Sequence, residues 1–597
     1  MFWRKKQKKA EEKHRKRRKR RRSEKGGVEQ TLENFVVEEI EIGAVPSVEP
    51  EVDTRRLSRR RRRKSLSGVR FAFGWIGLWL LIVAAGMVTR SIWPPDETRL
   101  LALAWDMWHR GEWLTPQLNG EPWFGQGPIT LWLVLSGWQF LGLNDWWPRL
   151  LPAVAGLFVL FLTTAFAHKL WPDQKEVVRY VPVLLLGTVL WAMYQTLALD
   201  HLLLVSMTLL TMMAVHGYAS GGRGAALVIG LLIGMSLLVG GPVALVYVVP
   251  AMLLAPMWSG RDGKAGWGAW YGAALLAIII GTGLWLAWLI PASRSAGLDW
   301  QQAIAAASSL QPLDLFYRQG SWWWYLYLIP LAFFPWSVWP LGWIRLWQVR
   351  GQKLDSGFTL CMIWGISAIV ILTLLPVRQP QFLLPLFPAY VLVFAWLLMH
   401  EDLRTVGEDS FFAGMTFPVI AIGGALAVLP GMPRVDFLPA ILWSMSPMIG
   451  VVVAALGIVL SWMPTMNTGK RVMSIAVTTM FVVVASSFFA GYQWGDRYQV
   501  DSLNKLLYET ENEGRAIAQV APYQGEFHFS SRLTQPIAVL TRDQTRDWIL
   551  SNPTGVMLTY DTGWQPNAIS ASAQLLEIPY GDTNLRVWDA GLLIPSP

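Results

Sequence analysis

The sequence predicts a polytopic α-helical membrane protein: a disordered basic tail, about thirteen transmembrane helices and a small C-terminal α/β domain. Three observations carry this. The 597 residues are 53% hydrophobic and only 15% charged, with 35 Trp, beyond the apolar share of ordinary soluble domains. Uncharged runs long enough to cross a hydrocarbon core recur from residue 71 to about 492. The positive charge is concentrated at one end. Residues 1–64 hold 23 Lys/Arg against 11 Asp/Glu, a net of +12 where the whole chain has +10, so the remainder is near −2.

Residues 1–68 read as a cytoplasmic tail. Two basic blocks, 4–25 and 55–64, flank an acidic stretch at 33–53. Such segments cannot bury apolar area and stay solvated. The tail suits orientation signalling and contact with anionic head groups. Nucleic-acid binding is disfavoured, because no aromatic platform or folded reader accompanies the charge. The first apolar run exceeds the core of a secretory signal and many more follow, so a cleaved leader is not expected. The single Cys361 permits no internal disulfide, and redox compartment cannot be read from it.

Residues 69–492 read as the membrane domain. Its thirteen apolar runs are 71–89, 147–167, 180–197, 202–219, 225–239, 242–258, 268–290, 323–344, 358–375, 382–399, 411–430, 438–462 and 472–491. The stretch 129–143 is short and flanked by Gly, and reads as an interfacial helix. With the tail inside, the cytoplasmic connections carry every membrane-region lysine: Lys169, Lys175, Lys264, Lys353 and Lys470. The outward loops carry only scattered arginines, as the positive-inside rule requires. Counting 129–143 as a span would reverse this pattern.

Two outward loops are long, 90–146 and 291–322, and long loops in compact proteins carry function. In the first, Asp96 is placed to cap a helix running to Arg110 and stopped by Gly111. Its apolar residues Leu100, Leu101, Leu103, Ala104 and Trp108 suit a helix lying on the membrane surface. Residues 493–597 read as a soluble α/β domain outside the cytoplasm. A helix is expected around Leu503–Leu507, strands at 526–529, 537–540, 556–560, 575–578 and 585–588, and a helix at 542–550.

The candidates for chemistry are few. Asp96 and Glu97 stand just outside the first span, where carboxylates can transfer protons or bind a metal; helix capping and solvation are the simpler roles. Asp200 is the next acidic candidate, at the outer end of the third span, and its burial demands a partner. Adjacent residues do not face each other on a helix, so Asp200 and His201 are not expected to form a dyad. The many Trp residues fit interfacial belts more simply than sugar platforms.

The order of certain motifs adds more. Asp96-Glu97-Thr98-Arg99, then Arg110-Gly111-Glu112-Trp113-Leu114-Thr115-Pro116-Gln117-Leu118-Asn119-Gly120, then Asn144-Asp145-Trp146-Trp147-Pro148-Arg149 resembles the bacterial lipid A aminoarabinose transferases, relatives of protein O-mannosyltransferases among the C-type glycosyltransferases. Gly241-Pro242, Trp322-Trp323-Trp324-Tyr325, Phe334-Pro335-Trp336 and Pro380-Gln381-Phe382-Leu383-Leu384-Pro385 look like later landmarks in the right order, so the resemblance covers roughly residues 70–400. It implies a multi-pass protein of the bacterial cytoplasmic membrane, with its soluble domain outside. The implied enzyme moves a sugar from a polyprenyl-phosphate donor to a lipid, glycan or protein acceptor, with a divalent metal left open. By similarity Asp96 orients or deprotonates the acceptor, Glu97 and Asp200 support it, and Arg99 fixes the loop. Where the family has Glu-Lys-Pro-Pro this chain has Gly125-Gln126-Gly127-Pro128, and where it has Lys-Gly-Pro this chain has Gly240-Gly241-Pro242. Both expected phosphate-binding lysines are absent. Either arginines take over the phosphate, with Arg318 and Arg378 the expected grips and Gln126 and His201 further substrate contacts, or the donor is different, or the enzyme is inactive. The alternative is a non-catalytic scaffold or transporter that kept the fold; no internal repeat of the transporter kind is visible.

Overall fold

The computed structural model describes residues 74–594, except 223, 260–265, 309–322, 353, 376–377, 401–409, 434–445, 462–466, 496, 498–499, 562–564, 569–570 and 582. The basic tail, Arg318 and Trp322 therefore lie outside the described residues.

Each of the thirteen apolar runs carries helix. They are α1 (Gly74–Thr89), then after the first loop α4 (Trp146–Leu170), the broken pair α5 (Lys175–Leu186) and α6 (Val189–Tyr194), and α7 (His201–Ala219). There follow α8 (Ala225–Gly240), α9 (Ala244–Leu253), α10 (Ala255–Trp258), α11 (Trp267–Ser295) and α12 (Trp300–Ser308). The remainder are α13 (Trp324–Ala332), α14 (Pro340–Gln348), α15 (Ser356–Leu374), α16 (Phe387–Met399), α17 (Ser410–Val428), α18 (Pro447–Ser461) and α19 (Thr468–Trp494). Among the described residues seven helices are long and apolar enough to cross a membrane outright; others are shortened where Pro and Gly interrupt the run. Between α8 and α9 a single 3-10 turn, Gly241–Val243, breaks the helix where Pro242 can donate no amide.

Burial orders the bundle. The segment Pro380–Met399 is 94% buried, against 33–56% for the other six, so it forms the central element. Helices α8 and α11 approach backbone to backbone, because a Cβ on Gly281 would meet the Gly230 carbonyl at 3.0 Å. Small residues at such crossings replace the hydrophobic drive that lipid removes.

The first long loop folds into α2 (Asp96–Arg110), a short hairpin of β1 (Gln117–Leu118) and β2 (Glu121–Pro122), and α3 (Pro128–Leu141). Leu100, Leu101, Leu103 and Ala104 were expected to face lipid. They are instead buried in one cluster with Leu131, Val134, Leu135 and Trp138 of α3. The apolar stripe is real, and protein covers it.

The C-terminal part comprises α20 (Asp501–Asn512), β3 (Ile517–Gln519), β4 (Ala538–Val539), α21 (Thr545–Ser551), β5 (Val556–Tyr560), β6 (Asn567–Ala568), β7 (Gln574–Tyr580), β8 (Thr583–Asp589) and β9 (Leu593–Ile594). Five strands form one sheet in the order β4-β3-β5-β8-β7, parallel among β4, β3 and β5, antiparallel for β8 against both β5 and β7. One expected strand fails. Residues 526–529 form turns, while β3 was not foreseen. Phe527 faces the α/β core and Phe529 faces the α2–α3 cluster, so their alternation reflects two cores rather than two faces of a sheet.

That segment docks the α/β part onto the first loop. Trp105 Nε1 donates to the Leu533 carbonyl at 2.7 Å. Asn119 imitates a strand partner: its Nδ2 donates to the Ile537 carbonyl at 2.9 Å, and the Ile537 amide returns to its Oδ1 at 2.7 Å. Trp138 and Phe529 stack at 5.4 Å with planes 3° apart, and the Arg532 guanidinium lies between Phe529 and Trp105, 4.2 and 5.3 Å from their centroids.

Candidate active site

Asp96 and Glu97 open α2 and part company at once. Successive helical residues point about 100° apart, and each carboxylate finds a different partner. Pro95, not Asp96, holds the capping position, and Asp96 makes no capping bond. This corrects the expected cap: Asp96 lies inside the first turn, and its Oδ1 pairs with the Arg99 guanidinium at 2.5 Å, three residues on. Its side chain keeps 27% exposure. An acidic residue there still gains from the helix dipole.

Glu97 is only 2% exposed. It forms a bidentate ion pair with Arg90. It also accepts the backbone amides of Trp93 at 2.9 Å and Ala198 at 2.5 Å. Arg90 in turn donates to the Thr196 carbonyl. The pair is thus a strut between the first loop and the segment leading to Asp200. Glu97 is not among the residues lining the cavity described next.

A cavity of about 160 Å³ with a mixed polar and apolar lining takes in residues of the first turn of α2. Asp96, Arg99 and Trp123 form one wall; Arg99 sits 5.7 Å from the Trp123 ring centroid. Asp200 and His201 also line it, at the start of α7 rather than at the end of the preceding span. Because Asp200 stands just outside the helix, its Oδ1 comes within 3.1 Å of His201 Nδ1. The expectation that the two would not face each other is corrected to this extent, although Nδ1 is not aligned for a hydrogen bond.

Gln126 donates its Nε2 to Asp200 Oδ2 at 2.9 Å. Its loop is seated tightly on α8, since a Cβ on Gly127 would fall 2.2 Å from the Leu238 carbonyl oxygen and 2.3 Å from that of Val239. Only glycine fits there. Gln126 and Gly240, the two positions where lysines were expected, both line the cavity. Trp285 and Trp288 of α11 close another side, and Gln379 and Gln381 contribute from the segment around Pro380–Leu386. Sequence reasoning singled out neither Trp, because each lies inside a continuous apolar run.

The lining therefore has two carboxylates, one guanidinium and several neutral amides. A site so furnished can orient a hydroxyl by its carboxylates and stack or hydrogen-bond a sugar. Arg378 does not line the cavity; its Nη2 reaches toward the Thr373 carbonyl at 3.4 Å, and its Nε has no partner among the described residues. Among the described residues no three His, Cys, Asp or Glu side chains gather as ligands of one metal ion.

No family model matches the chain. Among curated proteins it is similar to an undecaprenyl phosphate-alpha-4-amino-4-deoxy-L-arabinose arabinosyl transferase of Pseudomonas savastanoi. The two are 26% identical over 365 residues, 59% of this chain and 66% of that protein. The enzyme of the same name from Pseudomonas aeruginosa is 24% identical over 392 residues, 62% of this chain and 65% of that one. The matched region thus spans slightly less than two thirds of these relatives. Among solved structures, ArnT from Cupriavidus metallidurans bound to undecaprenyl phosphate superposes with a TM-score of 0.67 at 16% identity, covering 87% of this chain and 97% of that one. The chain shares the fold of that ArnT structure. The similarity to named aminoarabinose transferases agrees with the resemblance read from the sequence. The two positions at which the resemblance implies lysines, Gln126 and Gly240, both belong to the cavity lining.

Proposed function

We propose that this chain is a membrane glycosyltransferase that moves a sugar from a polyprenyl-phosphate donor to a lipid, glycan or protein acceptor on the outer face of the bacterial cytoplasmic membrane. One observation carries the reading. Asp96, Arg99, Gln126 and Asp200, separated by up to about a hundred residues in sequence, converge on one cavity in a fold shared with ArnT. An aminopentose donor is the finer reading, drawn from the names of the relatives.

In this scheme Asp96 accepts the proton of the acceptor hydroxyl. The oxygen attacks the anomeric carbon with inversion, the bond from that carbon to the phosphate oxygen breaks, and the polyprenyl phosphate leaves with the electron pair. Arg99 orients Asp96. Asp200, held by Gln126, sets the acceptor or the sugar hydroxyls. Negative charge on the departing phosphate requires a cation in a partly dry site. Arg378 is proposed for it, since its neighbour Gln379 lines the cavity and its Nε is without a partner among the described residues; the guanidinium fork suits phosphate. Arg318 is kept as a second candidate.

The rival is a non-catalytic protein that kept the fold, and the neutral Gln126 and Gly240 favour it. Mass spectrometry of envelope lipids and glycans from cells with and without the protein separates the two. A sugar modification that disappears with the protein is expected; identical profiles would favour the scaffold.

The proposed orientation has the amino terminus inside and the α/β part outside, because that arrangement keeps every membrane-region lysine in the cytoplasm. Reporter fusions after Ser356 and Gly407 are expected to read inside, and a fusion after Pro597 outside. A cytoplasmic signal at Pro597 would place the carboxyl end, and the cavity beside it, on the wrong face for this chemistry.

A further inference from the structure

One residue of the cavity lining, Arg99, is held by a residue from far along the chain. Arg99 has three partners: the Asp96 Oδ1 at 2.5 Å, the Trp123 ring, and the Gln524 Oε1 of the α/β part, to which its Nη1 donates at 3.3 Å. Gln524 is itself buried, 9% exposed. Its backbone amide donates to Glu526 Oε2 at 2.8 Å, and Glu526 is buried beside Arg99.

This contact is not a chance touch of two surfaces. Gly525 lies so close to α2 and β1 that a Cβ would come 2.7 Å from Ala102 Cβ and 2.8 Å from Leu118 Cδ1. The Phe527 amide donates to Tyr523 Oη at 3.1 Å, and that hydroxyl meets His528 Nδ1 at 2.6 Å. The turn is thus closed on itself, and the chain that follows it is pinned to the first loop by the Trp105, Asn119 and Trp138 contacts described above.

We propose that Gln524 is a positioning residue of the active site, by which the α/β part holds Arg99 and, through it, Asp96. A guanidinium prefers to grip a carboxylate with two parallel bonds. The Gln524 carbonyl engages Nη1 and so leaves Arg99 bound to one Asp96 oxygen only. The other oxygen stays available to the cavity. Without Gln524 the fork is released to take both oxygens, and the carboxylate is turned from the acceptor. The α/β part is then a component of the site rather than an appendage. This inference rests on the glycosyltransferase reading and gives the α/β part its role in it.

The test uses the full-length protein in detergent with a synthetic undecaprenyl-phosphate aminoarabinose donor and an envelope-lipid acceptor. Gln524→Leu keeps the bulk and removes the acceptor oxygen. It is expected to lower kcat on the order of tenfold with donor KM unchanged, as for a misplaced rather than missing catalytic group. Gln524→Glu restores an acceptor at the same reach and is expected to recover most of kcat. In an Asp96→Asn background Gln524→Leu is expected to add nothing, because the two act through one group. An undiminished kcat in Gln524→Leu, a loss that Gln524→Glu does not rescue, or full additivity with Asp96→Asn would each overturn the inference while leaving the glycosyltransferase reading intact. Absence of transfer by the parent chain with any polyprenyl-phosphate sugar would overturn that reading first, and this inference with it.

Discussion

Asp96→Asn is expected to lower sugar transfer on the order of a hundredfold or more, as loss of a general base does, while expression and melting temperature stay near the parent's. The two halves of this expectation have separate grounds. Asp96 makes no capping bond, and the Asn side chain has the same size, so α2 loses little. The ion pair with Arg99 is partly exposed, with side-chain accessibilities of 27% and 12%. Pairs of that kind contribute about 0–1 kcal/mol after screening. The chemistry is another matter, because a neutral amide cannot take the acceptor proton. Transfer by the purified variant, measured beside its thermal melt in detergent, decides the point. Near-normal turnover would reduce Asp96 to a helix-terminus charge.

Its neighbour is expected to behave in the opposite way. Glu97→Ala removes one half of a buried ion pair and leaves the Arg90 charge uncompensated, a loss of about 3–5 kcal/mol in comparable buried pairs. It also removes the Glu97 acceptor from the amides of Trp93 and Ala198. Unsatisfied buried donors add to the cost. The expected result is poor expression and a clearly lowered melting temperature, with activity falling because folded protein is lost. Glu97→Gln, which keeps the shape and one acceptor oxygen, is expected to be less severe. A Glu97→Ala protein that melts like the parent but transfers no sugar would return Glu97 to the chemistry. Two adjacent carboxylates thus give a direct comparison of catalytic and structural charge.

The proposed chemistry requires a cation for the leaving phosphate. In the cavity, Arg99 is the one guanidinium among the described lining residues, and it is already engaged by Asp96 and Gln524. Gln126 spends its amide on Asp200. A lysine at that position would bring a charge to the same carboxylate. On the proposed chemistry, the present arrangement leaves the carboxylates less neutralised, and a cation outside the lining is expected to hold the phosphate.

Much of this was legible in the sequence, and the reason is solvent. Hydrocarbon satisfies no backbone group, so spanning segments must be helical and apolar, and hydropathy alone located them. Lysine placement predicts an orientation, because charge crosses the membrane only at high cost, and the reporter fusions test it. Of the residues singled out for chemistry, Asp96, Arg99, Gln126, Asp200 and His201 all line the cavity. Local pattern could not say what covers an apolar face: the stripe on α2 is the same whether lipid or α3 lies against it. Nor could alternation at Phe527 and Phe529 distinguish a strand from a turn shared between two cores. The sequence by itself determined the helical membrane class, the charge asymmetry and the short list of polar residues. Only the tertiary structure decided which of Asp96 and Glu97 meets the cavity, and that Gln524, more than four hundred residues away, reaches Arg99. Those choices depend on which partners long-range packing brings within hydrogen-bonding distance, and no local preference of the chain encodes that.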